Sequence, residues 1–278
     1  MTGTRLRVAT WNLWWRHGDP ERRRPAILAT LRELDADVVA LQEVWSHADG
    51  SFADEPAAEL GTNVALRPSR DPSSWTSKLP DAEVYGIANA VLARDPIGEP
   101  TVAPLPLPSW ETAGRMLLDV VVATPAGSCR VVTVHLTSSP VASAPRCEQV
   151  RAIAAHVAAA PPTDLPPIVL GDFNAEPDSD EMRRLEGLLT VPAAPELFLI
   201  NTRRWATHPE APTWNPANPH VAATGSPPIR LDHLLVGLGR GTVAVRVADS
   251  AVFGDRPIDG VWPSDHAGVV ADLEVGDG

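Results

Sequence analysis

Acids, amides and histidines recur where short apolar runs of this sequence end. Asn12 follows Trp11 at the close of Arg7 to Leu13, and Gln42 and Glu43 follow Val38 to Leu41. His135 closes Val131 to Val134, Ile168 to Gly171 runs into Asp172, Phe173 and Asn174, and Asp232 and His233 open another apolar run. Ser264, Asp265 and His266 stand just before Gly268, Val269 and Val270. The two-residue period of a strand predicts Asp172 and Asn174 on one face with Phe173 on the other, and sends His233 to the face opposite Asp232, where a structural role is expected. Taken singly, each residue has an ordinary explanation: a turn for Asn12, a solvated strand end for Glu43, an Asx turn for Asp172, a satisfied core histidine for His135. The collection reads differently, because carboxylates at buried strand ends are costly unless they are paired or bind a cation. The donors are carboxylate and amide oxygens without cysteine, a set that selects Mg2+ or Mn2+ and argues against structural zinc.

These residues need a scaffold of strands and helices to bring them together. Strands are predicted at Arg7–Leu13, Val38–Gln42, Ala90–Ala93, Met116–Ala123, Arg130–Leu136, Ile168–Leu170, Leu231–Val236 and Val243–Val247. Helical spacing of apolar residues appears at Ile27, Leu28, Leu31 and Leu34, and again at Val150, Ile153, Ala154 and Val157. A third helix is expected to start after Asp178 or Ser179, with Met182, Leu185 and Leu189 on its apolar face. Thr124 to Gly127 reads as the turn of a hairpin. Local strand pairs that also alternate with helices point to an α/β chain with two packed mixed sheets and helices outside. The Pro-rich stretches Val44–Asp81 and Trp205–Pro228, which carry Trp45, Trp75, Trp205 and Trp214, are expected to be substrate-facing loops.

Composition narrows the field. The 278 residues are 44% hydrophobic and 21% charged, enough to bury a sizeable core. A net charge of −12 removes the electrostatic footprint of a protein that grips long nucleic acid through many phosphates. No run approaches a membrane span, and Met1 to Ala9 lacks a signal-peptide apolar region, so a cytoplasmic location is expected. Cys129 and Cys147 are too few for a disulfide framework and too isolated for a thiolate metal site.

Seven blocks closely resemble, in the same order, the motifs of the endonuclease/exonuclease/phosphatase superfamily. They are Thr10-Trp11-Asn12-Leu13, Leu41-Gln42-Glu43-Val44, Asn89 to Arg94, Val134-His135-Leu136, Gly171-Asp172-Phe173-Asn174, Arg230-Leu231-Asp232-His233 and Ser264-Asp265-His266. The resemblance runs from Arg7 to Leu273 and so implies one domain over residues 1–278, built as a four-layer α/β/β/α sandwich. It also implies Mg2+-dependent phosphoester hydrolysis, with Mn2+ as an alternative ion. By the same resemblance Asn12 and Glu43 are metal ligands, and Asp265 is a further metal or hydrogen-bonding position. Asp172 matches the carboxylate that orients or deprotonates the attacking water, and Asn174 a phosphoryl contact. His266 matches the active-site histidine paired with Asp232, an arrangement that favours imidazolium, and His135 a second histidine on the phosphate or leaving-group side.

Other positions are expected to contribute less. Arg115 either reaches the phosphate or is an ordinary surface arginine opening a strand. Trp214 and Asn218 lie in a segment that looks like one found in some sphingomyelinase-like members, with Trp214 read more as a packed loop anchor than as a ligand platform. Arg146 and Gln149 are expected to face solvent or brace the sheet edge. Departures from the DNA-repair branch are the lack of a matching tyrosine, since Tyr85 is the single tyrosine, and of a long basic arm, since Arg22-Arg23-Arg24 falls on or near the first helix, far in sequence from the motifs. The expected activity is therefore a phosphodiesterase or phosphatase acting on a small or lipid-headgroup phosphoester. The alternatives are a Mg2+-dependent nuclease and a non-catalytic binding module that keeps the fold. A monomer is the default.

Overall fold

The computed structural model describes residues 4–68, 84–111, 114–195, 197–237 and 239–276. Its first sheet has seven strands: β1 (Thr4–Asn12), β2 (Val38–His47), β3 (Gly50–Ser51), β4 (Asn63–Pro68), β5 (Gly86–Ala93), β12 (Val245–Phe253) and β13 (Gly268–Val275). They run in the order β12-β13-β1-β2-β5-β4, with β3 paired to β2. The second sheet has six: β6 (Thr101–Pro104), β7 (Met116–Thr124), β8 (Gly127–His135), β9 (Ile168–Asp172), β10 (Ile200–Asn201) and β11 (Asp232–Val236), in the order β10-β11-β9-β8-β7-β6.

The alternation of inward and outward residues explains how the layers stack. Leu6, Val8, Val38 and Val91 of the first sheet meet Leu118, Val131, Ile168 and Leu234 of the second in one buried cluster. The opposite face of the first sheet (Ala9, Trp11, Val39, Leu41) packs beneath α1 (Pro20–Leu34), with α2 (Asp54–Leu60) beside it. That of the second sheet (Val132, Val134, Val169, Leu235) packs beneath α3 (Ser143–Ala159) and α4 (Asp180–Glu186). The result is the expected four-layer α/β/β/α sandwich. Asp19 caps α1 by accepting from Arg22 N, and Pro20 stands where its missing N–H costs nothing.

Topology gathers the polar strand ends. β1 and β2 are parallel, so Asn12 ends beside Gln42; β8 and β9 are parallel, so His135 ends beside Asp172. Antiparallel β11 begins where β9 ends, which pairs Asp232 with Asp172, and β13 begins where β1 ends, which brings residues 264–266 to the same rim. Gly171, at φ +140°, makes the β8–β9 register possible, since a Cβ there would lie 2.1 Å from the Val134 carbonyl oxygen. Gln42 is wholly buried and bonds Thr10 and Thr133, tying one sheet to the other.

Several expectations need correction. β2 does not stop at Gln42 but continues to His47 through an irregularity between Leu41 and Val44 in its pairing with β5. Trp45 is buried and stacks on Phe52 with ring centroids 4.1 Å apart, so it faces the core and not a substrate. Much of the stretch read as a long loop is β3, α2 and β4, and Trp75 lies outside the described residues. Leu189 is exposed, because α4 ends at Glu186 with Gly187 in a left-handed cap. The last strand before β13 spans Val245–Phe253, later than the predicted Val243–Val247.

Candidate active site

The strand ends open into a cavity of about 860 Å3, lined by Asn12, Glu43, His135, Asp172, Asp265 and His266, with Trp14, Asn174 and Trp214 around them. Asp172 lies at its centre. Asn12 Nδ2 donates to Asp172 Oδ2 at 3.0 Å, and Asn174 N donates to Asp172 Oδ1 at 2.8 Å. Asn174 does not share a strand face with Asp172 as expected: β9 ends at Asp172, and Asn174 adopts φ +49°, turning back so that its Nδ2 donates to Leu136 O. The Asx turn and the active-site placement are therefore one structure.

His266 Nδ1 donates to Asp232 Oδ2 at 2.8 Å, and its Nε2 lies 3.9 Å from Asp172 Oδ2. Burial opposes a charge on this ring, but Asp232, Asp172 and Asp265 together outweigh it and hold His266 well above its ordinary range. Trp214 packs edge-on against the ring with centroids 4.9 Å apart and bridges to His266 through the backbone. It is both a packed anchor and part of the cavity wall. His135 sits between two carboxylates, with Nε2 3.4 Å from Asp172 Oδ2 and Nδ1 3.8 Å from Glu43 Oε1.

Burial raises Asp172 to about 6; the charge of Asp232 adds to the shift, while His266, Asn12 and Asn174 oppose it. Burial also raises Asp265, to about 7, with Glu43 adding to the shift and His266 and Arg23 opposing it. Glu43 occupies the irregularity in β2 at φ +53°, which turns its side chain into the cavity instead of along the strand. Glu43, Asp265 and Asn12 all line the cavity with oxygen donors, a set that fits a hard divalent ion, which would also relieve the repulsion of Glu43 on Asp265. The tightest acid/histidine group among the described residues is a different one, Asp172, Asp232 and His266, with ligand atoms within 4.8 Å of one another. The Asp232–His266 hydrogen bond accounts for that closeness and occupies Nδ1.

Two residues expected at the substrate are placed elsewhere. Arg115 is buried, with Nε on Glu111 Oε1 at 2.7 Å and Nη1 toward the His135 carbonyl at 3.4 Å, and does not line the cavity. Asn218 is spent at both ends of its amide: Oδ1 caps α5 (Pro219–Ala222) and Nδ2 donates to Ser264 O at 2.8 Å. It braces the segment carrying Asp265 and His266. Of the two roles expected for Arg146 and Gln149, they do not face solvent but are buried and brace the chain just past β8: both bond Thr137, Arg146 also pairs with Glu181, and Gln149 also bonds Pro106.

His233 is structural, as the strand period predicts. Asn201 Nδ2 donates to its Nδ1 at 2.9 Å and its Nε2 donates to Ala175 O at 2.8 Å, fixing a neutral ring. Burial, reinforced by Arg230 and Arg203, pushes this imidazole down to about 3. The unfolded chain binds a proton near pH 6.5 that the folded chain refuses. The stability His233 contributes is therefore complete above about pH 6.5 and is lost as pH falls toward about 3. Urea titrations are expected to show wild type losing about 2–3 kcal/mol more than His233→Gln between pH 7.5 and 4.5. Parallel pH profiles for the two proteins would contradict the assignment.

The sequence profile of the Endonuclease/Exonuclease/phosphatase family matches residues 9–266, a span that holds every strand-end residue of the cavity. The chain belongs to this family. Members of the family are phosphoester hydrolases, and the chain is an enzyme of that class. No curated protein matches it. Among solved structures, an endonuclease/exonuclease/phosphatase from Beutenbergia cavernae DSM 12333 shares 25% identity at a TM-score of 0.71, covering 98% of this chain and 72% of that one. A humanized D. rerio TDP2 shares 19% identity at a TM-score of 0.71, covering 97% of this chain and 99% of that one. The human Nocturnin catalytic domain with bound sulfate shares 16% identity at a TM-score of 0.63, covering 98% of this chain and 95% of that one. The last two share the family fold.

Sequence reasoning missed Arg23, Trp14 and His17. Trp14 and His17 line the cavity, but no spacing rule reaches them, since they belong to a turn in which Trp14 and Trp15 both have positive φ. Arg23 belongs to a basic run far in sequence from the motifs, and it is wholly buried.

Proposed function

We propose that this family member is a divalent-metal-dependent hydrolase of a compact phosphoester, a small molecule or a lipid headgroup, acting by in-line attack of an activated water. The observation that carries the reading is the convergence of a hard-donor wall, a buffered carboxylate and an Asp–His pair on one cavity. Asn12, Glu43 and Asp265 would hold the ion, Mg2+ or Mn2+. When bound, it supplies Lewis-acid relief of charge on a phosphoryl oxygen.

The chain's own residues supply the rest. Asp172, fixed by Asn12 and Asn174, is ionised at neutral pH, and its position near 6 suits it to orient a water and take its proton. His266, held charged by Asp232, stabilises the negative charge that builds on the phosphoryl oxygens. Asn174 keeps one amide N–H beyond its bond to Leu136 O and can offer it to the phosphoryl group. His135, between Asp172 and Glu43, would face the phosphate or the leaving group.

Cavity electrostatics favour a single phosphate over a long polyanion. Among the described residues no lysine lines the cavity, and the one arginine that does, Arg146, is tied to Glu181 and to the Thr137 and Ser139 carbonyls. Glu176, Asp178 and Asp180 stand on the rim. A nuclease that tracks a duplex gains affinity by exchanging condensed counterions for several Lys or Arg contacts. The test is a panel of phosphomonoesters, small phosphodiesters, choline phospholipids, single-stranded DNA and duplex DNA, each with Mg2+ and with Mn2+. A compact phosphoester is expected to give the highest kcat/KM. Faster cleavage of either DNA at physiological salt than of every small substrate would establish the nuclease reading instead.

A further inference from the structure

We propose that Arg23 is a positioning residue for the divalent-ion wall, clamping together the two backbone segments that present Asn12 and Asp265. This rests on the metal-dependent reading above and extends it to a residue outside the cavity. Arg23 is 2% exposed, and its guanidinium meets backbone carbonyls in every direction. Nη1 donates to Leu13 O at 2.8 Å and to Pro263 O at 2.9 Å, Nη2 to Trp15 O at 2.5 Å and to Trp14 O at 3.3 Å, and Nε to His17 O at 3.1 Å. These contacts engage all five N–H groups that a guanidinium has. Four of the carbonyls belong to the turn after β1, and the remaining one to Pro263, two residues before Asp265.

Both segments are coupled to the site by short bonds. On the first, Trp14 N donates to Asn12 Oδ1 at 2.9 Å, which fixes the amide whose Nδ2 holds Asp172. Trp14 and Trp15 adopt φ +59° and +36°, conformations that non-glycine residues hold only where the surroundings demand it, and both their carbonyls end on Arg23. On the second, Ser264 Oγ donates to Asn12 O at 2.7 Å and accepts from His266 N at 3.1 Å, so the chain leaving Pro263 is stitched to the end of β1. Trp11 Nε1 adds a bond to His266 O at 2.9 Å, and Arg23 is a further stitch across this seam. Its guanidinium carbon also lies 5.1 Å from the Trp14 ring centroid and 5.9 Å from that of Trp45, which fixes its height in the fold. Burial lowers Arg23 to about 10 while Asp265 and Glu43 oppose the shift, so it keeps its charge at neutral pH beside the carboxylate wall.

A lysine cannot reproduce this arrangement, because its point charge has three donors and no planar fork to span the seam. The test measures Mn2+ binding to the full chain by calorimetry and by the resonance signal of free Mn2+, for wild type, Arg23→Lys and Arg23→Ala. Circular dichroism and thermal melting confirm folding. Mn2+ affinity is expected to fall roughly 10- to 100-fold in both variants, as for groups that orient ligands without touching the ion. The Mn2+ concentration for half-maximal activity should rise in parallel, with kcat at saturating Mn2+ less affected. Added guanidinium ion, but not ammonium, should restore part of the affinity of Arg23→Ala. Wild-type affinity in either folded variant overturns the proposal, and so does failure of both variants to fold, which would assign Arg23 to stability alone. If wild type itself binds no Mn2+, the metal-dependent reading falls first; wild-type binding with unaffected variants removes only the role of Arg23.

Discussion

Replacing Asp172 with asparagine is expected to lower turnover by roughly 10²- to 10⁴-fold, the range lost when a positioned base is removed. The substitution keeps the side-chain volume and the acceptor for Asn174 N, so folding should survive. It removes the negative charge proposed to take the proton from water, and it sets an amide N–H against Asn12 Nδ2, which at present donates to the carboxylate. A 10²-fold loss corresponds to about 2.7 kcal/mol of transition-state stabilisation. Steady-state kinetics on the best substrate of the panel, with melting temperature as a fold control, check the expectation. A folded Asp172→Asn protein turning over at the wild-type rate would take Asp172 out of the mechanism.

His266→Ala should cost about as much, roughly 10²-fold or more, because it deletes the charge held over the developing phosphoryl oxyanion. The buried Asp232 would then be left without its hydrogen-bond partner, so some loss of stability accompanies the loss of rate. Asp232→Asn is the milder counterpart: the imidazole remains, but the carboxylate that favours its charged form does not. The order expected in kcat is wild type, then Asp232→Asn, then His266→Ala. Combined with Asp172→Asn, the histidine loss should fall well short of additive, since both groups act on one transition state. Full additivity of the two would show that they serve separate steps.

The legible part of this protein is the part governed by strand periodicity and order. Asn12, Glu43, His135 and Asp172 stand where apolar runs end, two parallel strand pairs put those ends on one rim, and antiparallel β11 starts there with Asp232. Less legible is anything set by departures from regular backbone. Asn174 turns in a left-handed conformation where the alternation rule predicted a strand, and Glu43 enters the cavity through an irregularity in β2. Arginines were hardest to place. Arg115 and Arg146 look like surface or phosphate-seeking residues in sequence but are consumed by Glu111 and Glu181, partners that only the fold supplies. Arg23 sits in a basic run and is drawn inward by carbonyls from segments as far as Pro263. Tryptophans divided in the same way, Trp45 turning to the core and Trp214 to the cavity, because the deciding contacts, Phe52 and His266, lie on other segments.

The reaction proposed for this cavity is phosphoester hydrolysis with a hard divalent ion held by Asn12, Glu43 and Asp265. The most direct test strips the purified chain of metal and follows phosphoester hydrolysis on its best substrate in excess chelator, then after adding back Mg2+ or Mn2+. Turnover at background level in chelator, restored by either ion in wild type and only at much higher ion concentration in Glu43→Gln, is expected. Undiminished turnover by the stripped protein in excess chelator would contradict it.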